Sequence, residues 1–274
     1  MRIYISADIE GIAGVVSPQN TGPSGFEFEQ ARDWMTDAVL AACEVARDLG
    51  AEEVVVSDSH GSGQNIRFER MPSYVQLVRS WPRPLGMMQG VEMGEYAGAL
   101  LIGYHAGATN PGGVLSHTMS SGDFHSVALN GRVLPEAGIS AAIAGHFGVP
   151  ILMVASDDVG VAETTALLGD ISAATLKTSF GSRSAINPSP QEVERRLKEA
   201  VRGALTRPGR RAPYVINGPI DVDIHLRTRL VAEWLSYINS IERLDAFTVR
   251  YRAADIIDVS RFLIFLTSAR AALA

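Results

Sequence analysis

The sequence predicts an α/β protein: a mainly parallel sheet flanked by helices, joined to a second, smaller α/β lobe. Three observations carry that prediction. Short apolar runs recur at residues 3–5, 54–56, 97–102 and 151–155, too brief for helices and rich in the β-branched residues that favour strands. Amphipathic helical patterns separate several of these runs, and strand–helix–strand alternation is the signature of a parallel sheet covered on both faces. Beyond about residue 175 the order of elements changes, which suggests a metal-binding lobe over 1–175 and a C-terminal lobe over 176–274.

The elements follow in order. Ile3-Tyr-Ile5 reads as a buried strand that ends in Asp8 and Glu10. After a Gly/Pro/Ser stretch at 17–25, residues 27–49 repeat apolar side chains at the helical period (Phe28, Ala31, Met35, Ala38, Val39, Ala42, Val45, Ala46 and Leu49), and Gly50 stops the run. Val54-Val-Val56 leads into Ser57-Asp-Ser-His60, and the strand at 97–102 leads into Gly103-Tyr-His105. Asn130-Gly131 between alternating residues signals a hairpin. A helix over 136–146 and a strand over 151–155 follow. In the second lobe, the pattern predicts a charged helix at 191–205, a strand at 214–216, a helix at 226–238, a strand at 246–251 and a terminal helix; the Gly/Ser/Pro-rich stretch 181–190 is the expected join.

Composition narrows the function. The chain has 274 residues, 46% hydrophobic and 20% charged, with a net charge of -6. That balance suits an ordinary soluble domain and argues against nucleic acid as a partner; the basic cluster at 207–211 is too short to change the sign of the surface. No apolar stretch reaches membrane-spanning length without Gly or charge, and no leader pattern precedes the first strand, so the expectation is a cytoplasmic protein with no membrane partner. Cys43 is the sole cysteine and lies on the apolar face of the first helix, which excludes a cysteine zinc cluster and predicts a buried, inert thiol.

Asp8 and Glu10 stand two apart at a strand end, so both carboxylates leave on one side. Like charges held that close need a proton, a cation or water between them. His60 and His105 also follow predicted strand ends, at the sheet edge where loops converge and ligands collect. With His117 and Glu136 the set becomes three carboxylates and three imidazoles. Imidazole and carboxylate without thiolate suit zinc, with manganese, iron or cobalt as substitutes. So many donors exceed one catalytic zinc and fit a carboxylate-bridged pair. Singly, each residue has a plainer role: Glu136 as a charge at a helix N-terminus, each histidine as hydrogen-bonded structure. Their coincidence at successive strand ends favours metal. His146, His125 and His225 lack that placement and are assigned to structure, as are Asp58, Asp157 and Asp158, which suit helix caps or the orientation of a ligand.

These residues lie in motifs that resemble a known family. Ser6-Ala-Asp-Ile-Glu-Gly11 resembles the opening signature of the D-aminopeptidase family of binuclear zinc peptidases. The likeness continues through Ser57-Asp-Ser-His60, Gly103-Tyr-His-Ala106, Ser116-His-Thr-Met119, Pro135-Glu-Ala-Gly138, Met153-Val-Ala-Ser-Asp-Asp158 and Ser182-Arg-Ser-Ala185. The resemblance implies two zinc ions per subunit held by Asp8, Glu10, His60, His105 and Glu136, with Asp8 bridging. It implies a catalytic His117, short peptide substrates that include D-residues, and a homo-oligomer, a ring-based decamer. Water between two zinc ions ionises near neutral pH and would attack a peptide carbonyl, with His117 transferring protons. Two other readings remain at this stage. One is another metal-dependent hydrolase, an amidase or a phosphoesterase, although Gly11-Ile-Ala-Gly14 is only a faint phosphate cradle. The other is a non-catalytic peptide- or metal-binding subunit.

Overall fold

The computed structural model describes residues 1–206 and 211–273, with side chains described through residue 269. Of the basic cluster at 207–211, only Arg211 falls among the described residues. The elements run β1 (Arg2–Ala7), α1 (Phe28–Asp48), β2 (Glu53–Asp58), β3 (Val75–Val78), β4 (Ala99–Ile102), β5 (Phe124–Leu129), β6 (Arg132–Val133), α2 (Glu136–His146), β7 (Ile151–Asp157), α3 (Asp158–Leu168), β8 (Ser172–Gly181), β9 (Ser184–Ile186), α4 (Pro190–Thr206), β10 (Ile220–Leu226), α5 (Arg229–Leu235), β11 (Ile241–Arg243), β12 (Thr248–Ala253) and α6 (Ile256–Leu273).

Two sheets organise the molecule. The first has the order β3-β2-β1-β4-β7-β8-β9 and is parallel except for β9 at its edge. The second, β11-β12-β10-β5-β6, is antiparallel throughout. Alternation along the parallel strands divides the core in two. Ile3 and Ile5 of β1, Val54 and Val56 of β2, and Leu100 and Ile102 of β4 join the cluster under α1 and α4. Their neighbours Tyr4, Val55 and Leu101 face the cluster that holds α2, α6 and the second sheet. The apolar stripe expected on the first helix is the buried face of α1, from Phe28 to Ala46. Cys43 sits within it, and burial pushes its thiol up to about 12, which leaves it inert at neutral pH. In α2 every residue from Glu136 to Gly145 is buried, as befits a helix enclosed on all sides.

The predicted hairpin is present: Asn130 and Gly131 both have positive φ, 51° and 78°, and join β5 to β6. The expected boundary at 175 falls within β8, and the sheets cross it in both directions. The second sheet takes β5 and β6 from before it, while α4 from after it packs on α1 and β8 of the first sheet. The stretch 181–190 likewise carries the β8–β9 turn and the start of α4 rather than a join. Residues 214–216 form no strand; they cross α2 so closely that a Cβ on Gly145 would sit 1.9 Å from the Tyr214 carbonyl oxygen. The strand of that region is β10, so His225 lies in a strand rather than at a helix start, and the helix shortens to α5.

Register places the site. Ala7 pairs with Asp58 on one side and Ile102 on the other, so β2, β1 and β4 end level. Backbone pairing continues past the strands: the Asp8 N–H donates to the Ile102 carbonyl at 2.8 Å, Ser59 to Ala7 at 2.8 Å and Gly11 to Gly103 at 2.7 Å. Contacts this close leave no room for side chains. A Cβ on Gly11 would lie 1.9 Å from the Tyr104 carbonyl oxygen, and one on Gly103 would lie 2.1 Å from that of Asp8. The faint phosphate cradle is therefore a packing device: Gly11 meets the β4 loop, and Gly14 meets the Trp34 ring.

Candidate metal centre

All six predicted residues converge at this edge. Asp8, Glu10, His60, His105 and Glu136 are each at least nine-tenths buried, while His117 is more open. Two groups share ligand distances: Asp8, Glu10 and His60 form one, and His105, His117 and Glu136 the other. Asp8 links them. Its Oδ1 lies 3.2 Å from His60 Nδ1, and its Oδ2 lies 3.5 Å from His105 Nε2. Glu10 Oε2 is 3.0 Å from His60 Nδ1, and Glu136 Oε2 is 3.5 Å from His105 Nε2. Glu136 heads α2, where the helix N-terminus favours its charge, and its Oε1 accepts the Met119 N–H at 2.6 Å.

The outer nitrogens of the histidines fix the chemistry. His60 Nε2 faces the Thr21 carbonyl at 2.7 Å, His105 Nδ1 that of Ala106 at 2.9 Å, and His117 Nδ1 that of Leu115 at 2.9 Å. A carbonyl only accepts, so each of these nitrogens carries the hydrogen. The opposite nitrogen of the neutral ring then aims a lone pair at carboxylate oxygens. Lone pair against anion is repulsive, and two of the atoms involved, Glu10 Oε2 and His105 Nε2, are buried without a hydrogen-bond partner. A cation at each group would turn that repulsion into ligation, and the backbone carbonyls already provide the orienting bonds that metal-bound histidines use. The donor set fits zinc.

Without a cation, protons alone relieve the cluster. Burial, then the Glu10 charge, push Asp8 up to about 7. Burial opposes charge on Glu10, but the His60 imidazolium outweighs it and holds Glu10 well below the ordinary carboxylate range. Burial likewise works against the His105 imidazolium, yet Glu136 raises it to about 10.

Hydroxyl groups tie the ligand-bearing segments together behind the site. Ser6 Oγ lies 2.9 Å from Ser59 Oγ and 2.7 Å from the Tyr104 hydroxyl, which lies 3.0 Å from Ser140 Oγ. Ser6 precedes Asp8 by two, Ser59 and Tyr104 adjoin His60 and His105, and Ser140 is one turn beyond Glu136. Each ligand segment thus contributes one hydroxyl, a pattern visible in the motifs and missed by a search for donors alone.

The His117 loop is held from outside. Asp157 Oδ2 accepts the Val114 N–H at 2.7 Å while its Oδ1 caps α3 through Gly160; Glu163 accepts the Gly107 N–H at 2.7 Å; and the Leu115 N–H donates to Ser182 at 2.8 Å. Leu115 and Met119, either side of His117, both have positive φ, 53° and 62°, conformations that side chains such as these seldom adopt. Asp58 accepts from Asn65 and Ile66, and Asp158 from Ser179. His146 ends α2, and His125 and His225 face one another across β5 and β10, 4.9 Å apart and away from the centre.

A cavity of about 500 Å³ opens onto the two groups. Asp8, Glu10, His60, His117 and Glu136 line it on one side, and Ile264, Thr267 and Ser268 of α6 form part of the wall; among the described residues the lining holds no lysine or arginine. The His117 ring stacks on His105, 4.1 Å between centroids, with its Nε2 3.6 Å from Glu136 Oε1.

The pattern of the D-aminopeptidase family matches residues 1–265. The chain belongs to that family. It is 31% identical to a D-aminopeptidase of Bacillus subtilis over 269 residues, covering 97% of each protein. Its fold superposes on the Zn-dependent D-aminopeptidase DppA of Bacillus subtilis, described as a self-compartmentalizing protease, with a TM-score of 0.93 at 28% identity over the whole of this chain and 99% of that one. The α/β architecture and the zinc peptidase chemistry that the motifs implied are those of the D-aminopeptidase family. Among the described residues no helix is long and apolar enough to cross a membrane.

Proposed function

We propose that this D-aminopeptidase family member is a zinc-dependent aminopeptidase that hydrolyses the N-terminal peptide bond of short peptides, including those with D-residues. The observation that carries the reading is the pair of ligand groups joined through Asp8, with orphaned donor atoms in both. Asp8, Glu10 and His60 would hold one zinc, and Asp8, His105 and Glu136 the other. Zinc supplies a Lewis acid for the scissile carbonyl and lowers the pKa of water toward neutrality.

The chain's own groups do the rest. His117 is the imidazole on the cavity side, and its Nδ1–H is committed to Leu115, so Nε2 is the nitrogen free to take a proton from water and return it to the leaving amine. Stacking on His105 and the hold of the loop fix its aim. Ser120, Ser121 and Thr267 give the cavity polar edges for a peptide backbone, and Met87, Met119 and Ile264 give it an apolar side.

The reading extends to a cytoplasmic homo-oligomer that encloses its active sites, up to a decamer, since the similar DppA is self-compartmentalizing. Exposed Trp234 and Tyr237 support it: these side chains are 58% and 70% exposed. Free amino acid release from matched D-Ala-D-Ala and L-Ala-L-Ala, with zinc and with chelator, tests the activity, and light scattering tests assembly. Zinc-loaded protein that cleaves neither peptide nor longer analogues would refute the aminopeptidase reading.

A further inference from the structure

Lys177, in the middle of β8, is 1% exposed and far from any chain end. A lysine is rarely so deeply buried without a carboxylate partner. Its ammonium instead donates all three hydrogens to backbone: the carbonyls of Glu10, of Ile12 at 2.9 Å, and of Val15. Those carbonyls belong to the segment that leaves β1, turns after Asp8 and carries Glu10. The opposite side of that segment is clamped by Gly11 against Gly103 and Tyr104. The Glu10 side chain meets His60 Nδ1, 3.0 Å from its Oε2, and so leans on another member of the same group rather than on the surrounding fold. The orientation of its carboxylate therefore depends on the path of its own backbone, which one side chain gathers from β8, three strands away in the sheet.

We propose that Lys177 is a positioning residue for the metal centre, one that selectively sets the group formed by Asp8, Glu10 and His60. The inference rests on the two-metal reading above. Lys177 touches neither ligand atoms nor the cavity, so it acts through the Glu10 peptide. The second group, His105 and Glu136, is carried by the β4 loop and by α2, which Lys177 does not contact through any of its three bonds. Its effect must therefore divide unequally between the two metals.

The experiment is zinc binding by the full chain, read as zinc content after equilibration at fixed free zinc and as affinity by chelator competition. Wild type should hold two zincs. Lys177→Met, of similar length and without donors, should keep one at wild-type affinity and bind the other about 10–100-fold more weakly, the usual loss when an outer partner of a ligand is removed. Adding His60→Ala to Lys177→Met should deepen the loss of that same zinc less than His60→Ala does alone in wild type, because both act on one group. Should Lys177→Met fail to fold, Lys177→Gln, which retains two N–H donors without charge, should show the same unequal split in smaller measure. A folded variant with two zincs of wild-type affinity, or with both weakened equally, would overturn the assignment. Wild type that holds no zinc pair would overturn the two-metal reading itself, and this inference with it.

Discussion

Replacing Asp8 by Asn separates what this carboxylate does for the metals from what it does to the fold. Asp8 is buried beside Glu10, and its pKa rises from 3.8 to about 7 when no cation is present. The native state therefore holds a proton that the unfolded chain releases between those values, and stability falls as pH rises through that window. Above pH 7 the full penalty applies, about 4 kcal/mol for a rise of that size. Asn cannot ionise and escapes it. Its oxygen would keep the Ile9 N–H bond, 2.8 Å long in the wild type, while its uncharged amide would take the place of Oδ2, 3.5 Å from His105 Nε2. In chelated protein at pH 8, Asp8→Asn should thus resist urea better than wild type, by up to about 4 kcal/mol. The advantage should shrink steadily as pH falls from 7 toward 5, where wild-type Asp8 gains its proton. In zinc-loaded protein the order should reverse, since the amide is a poor bridging ligand. An Asn variant that unfolds earlier than wild type at pH 8 in chelator, or whose advantage is constant with pH, would refute the argument.

Other perturbations follow from the same geometry. Saturating zinc at a thousandfold over its dissociation constant should stabilise the chain by about 4 kcal/mol per site, readable as a zinc-dependent unfolding midpoint. His117→Ala should lower turnover by about 10²–10⁴-fold with both zincs retained; loss of a zinc would instead make His117 a ligand. Gly11→Ala, whose Cβ would meet the Tyr104 carbonyl oxygen at 1.9 Å, should cost roughly 3 kcal/mol or more in urea unfolding and reduce zinc content, because the loops carrying Glu10 and His105 are forced apart. Shortening Ile264 to Ala in the α6 wall should raise kcat/KM for bulky N-terminal residues relative to alanine, with zinc content unchanged.

The candidate ligands were legible because their chemistry is scarce and their placement regular. Few histidines occur in the chain, and those at 60 and 105 follow strand ends that register later brings level. Glu136 was harder to separate from a solvated helix-end charge; burial and its bond to Met119 make the difference. Lys177 had no signal at all, since a lysine on a Ser/Thr/Ala-rich strand looks like any surface lysine until its fold wraps three carbonyls around it. The architecture of the second half was less legible for a related reason. β10 alternates cleanly as Ile-Asp-Val-Asp-Ile-His-Leu, yet its partner β5 lies almost a hundred residues earlier. Local pattern predicts that hairpin but not the third strand that joins it. Residues 214–216 show the converse: an apolar triplet with strand-like composition that packs as a covering segment and finds no neighbour to pair with.

The wall that α6 builds across the cavity has a consequence for the life of the chain during synthesis. Every proposed ligand, from Asp8 to Glu136, leaves the ribosome more than a hundred residues before Ile264. Lys177 emerges between them. A partly made chain can therefore collect its donors before the surface that bounds the substrate exists. Confinement comes only with α6, so that a chain truncated before residue 256 would be an open vessel rather than a smaller version of the same one.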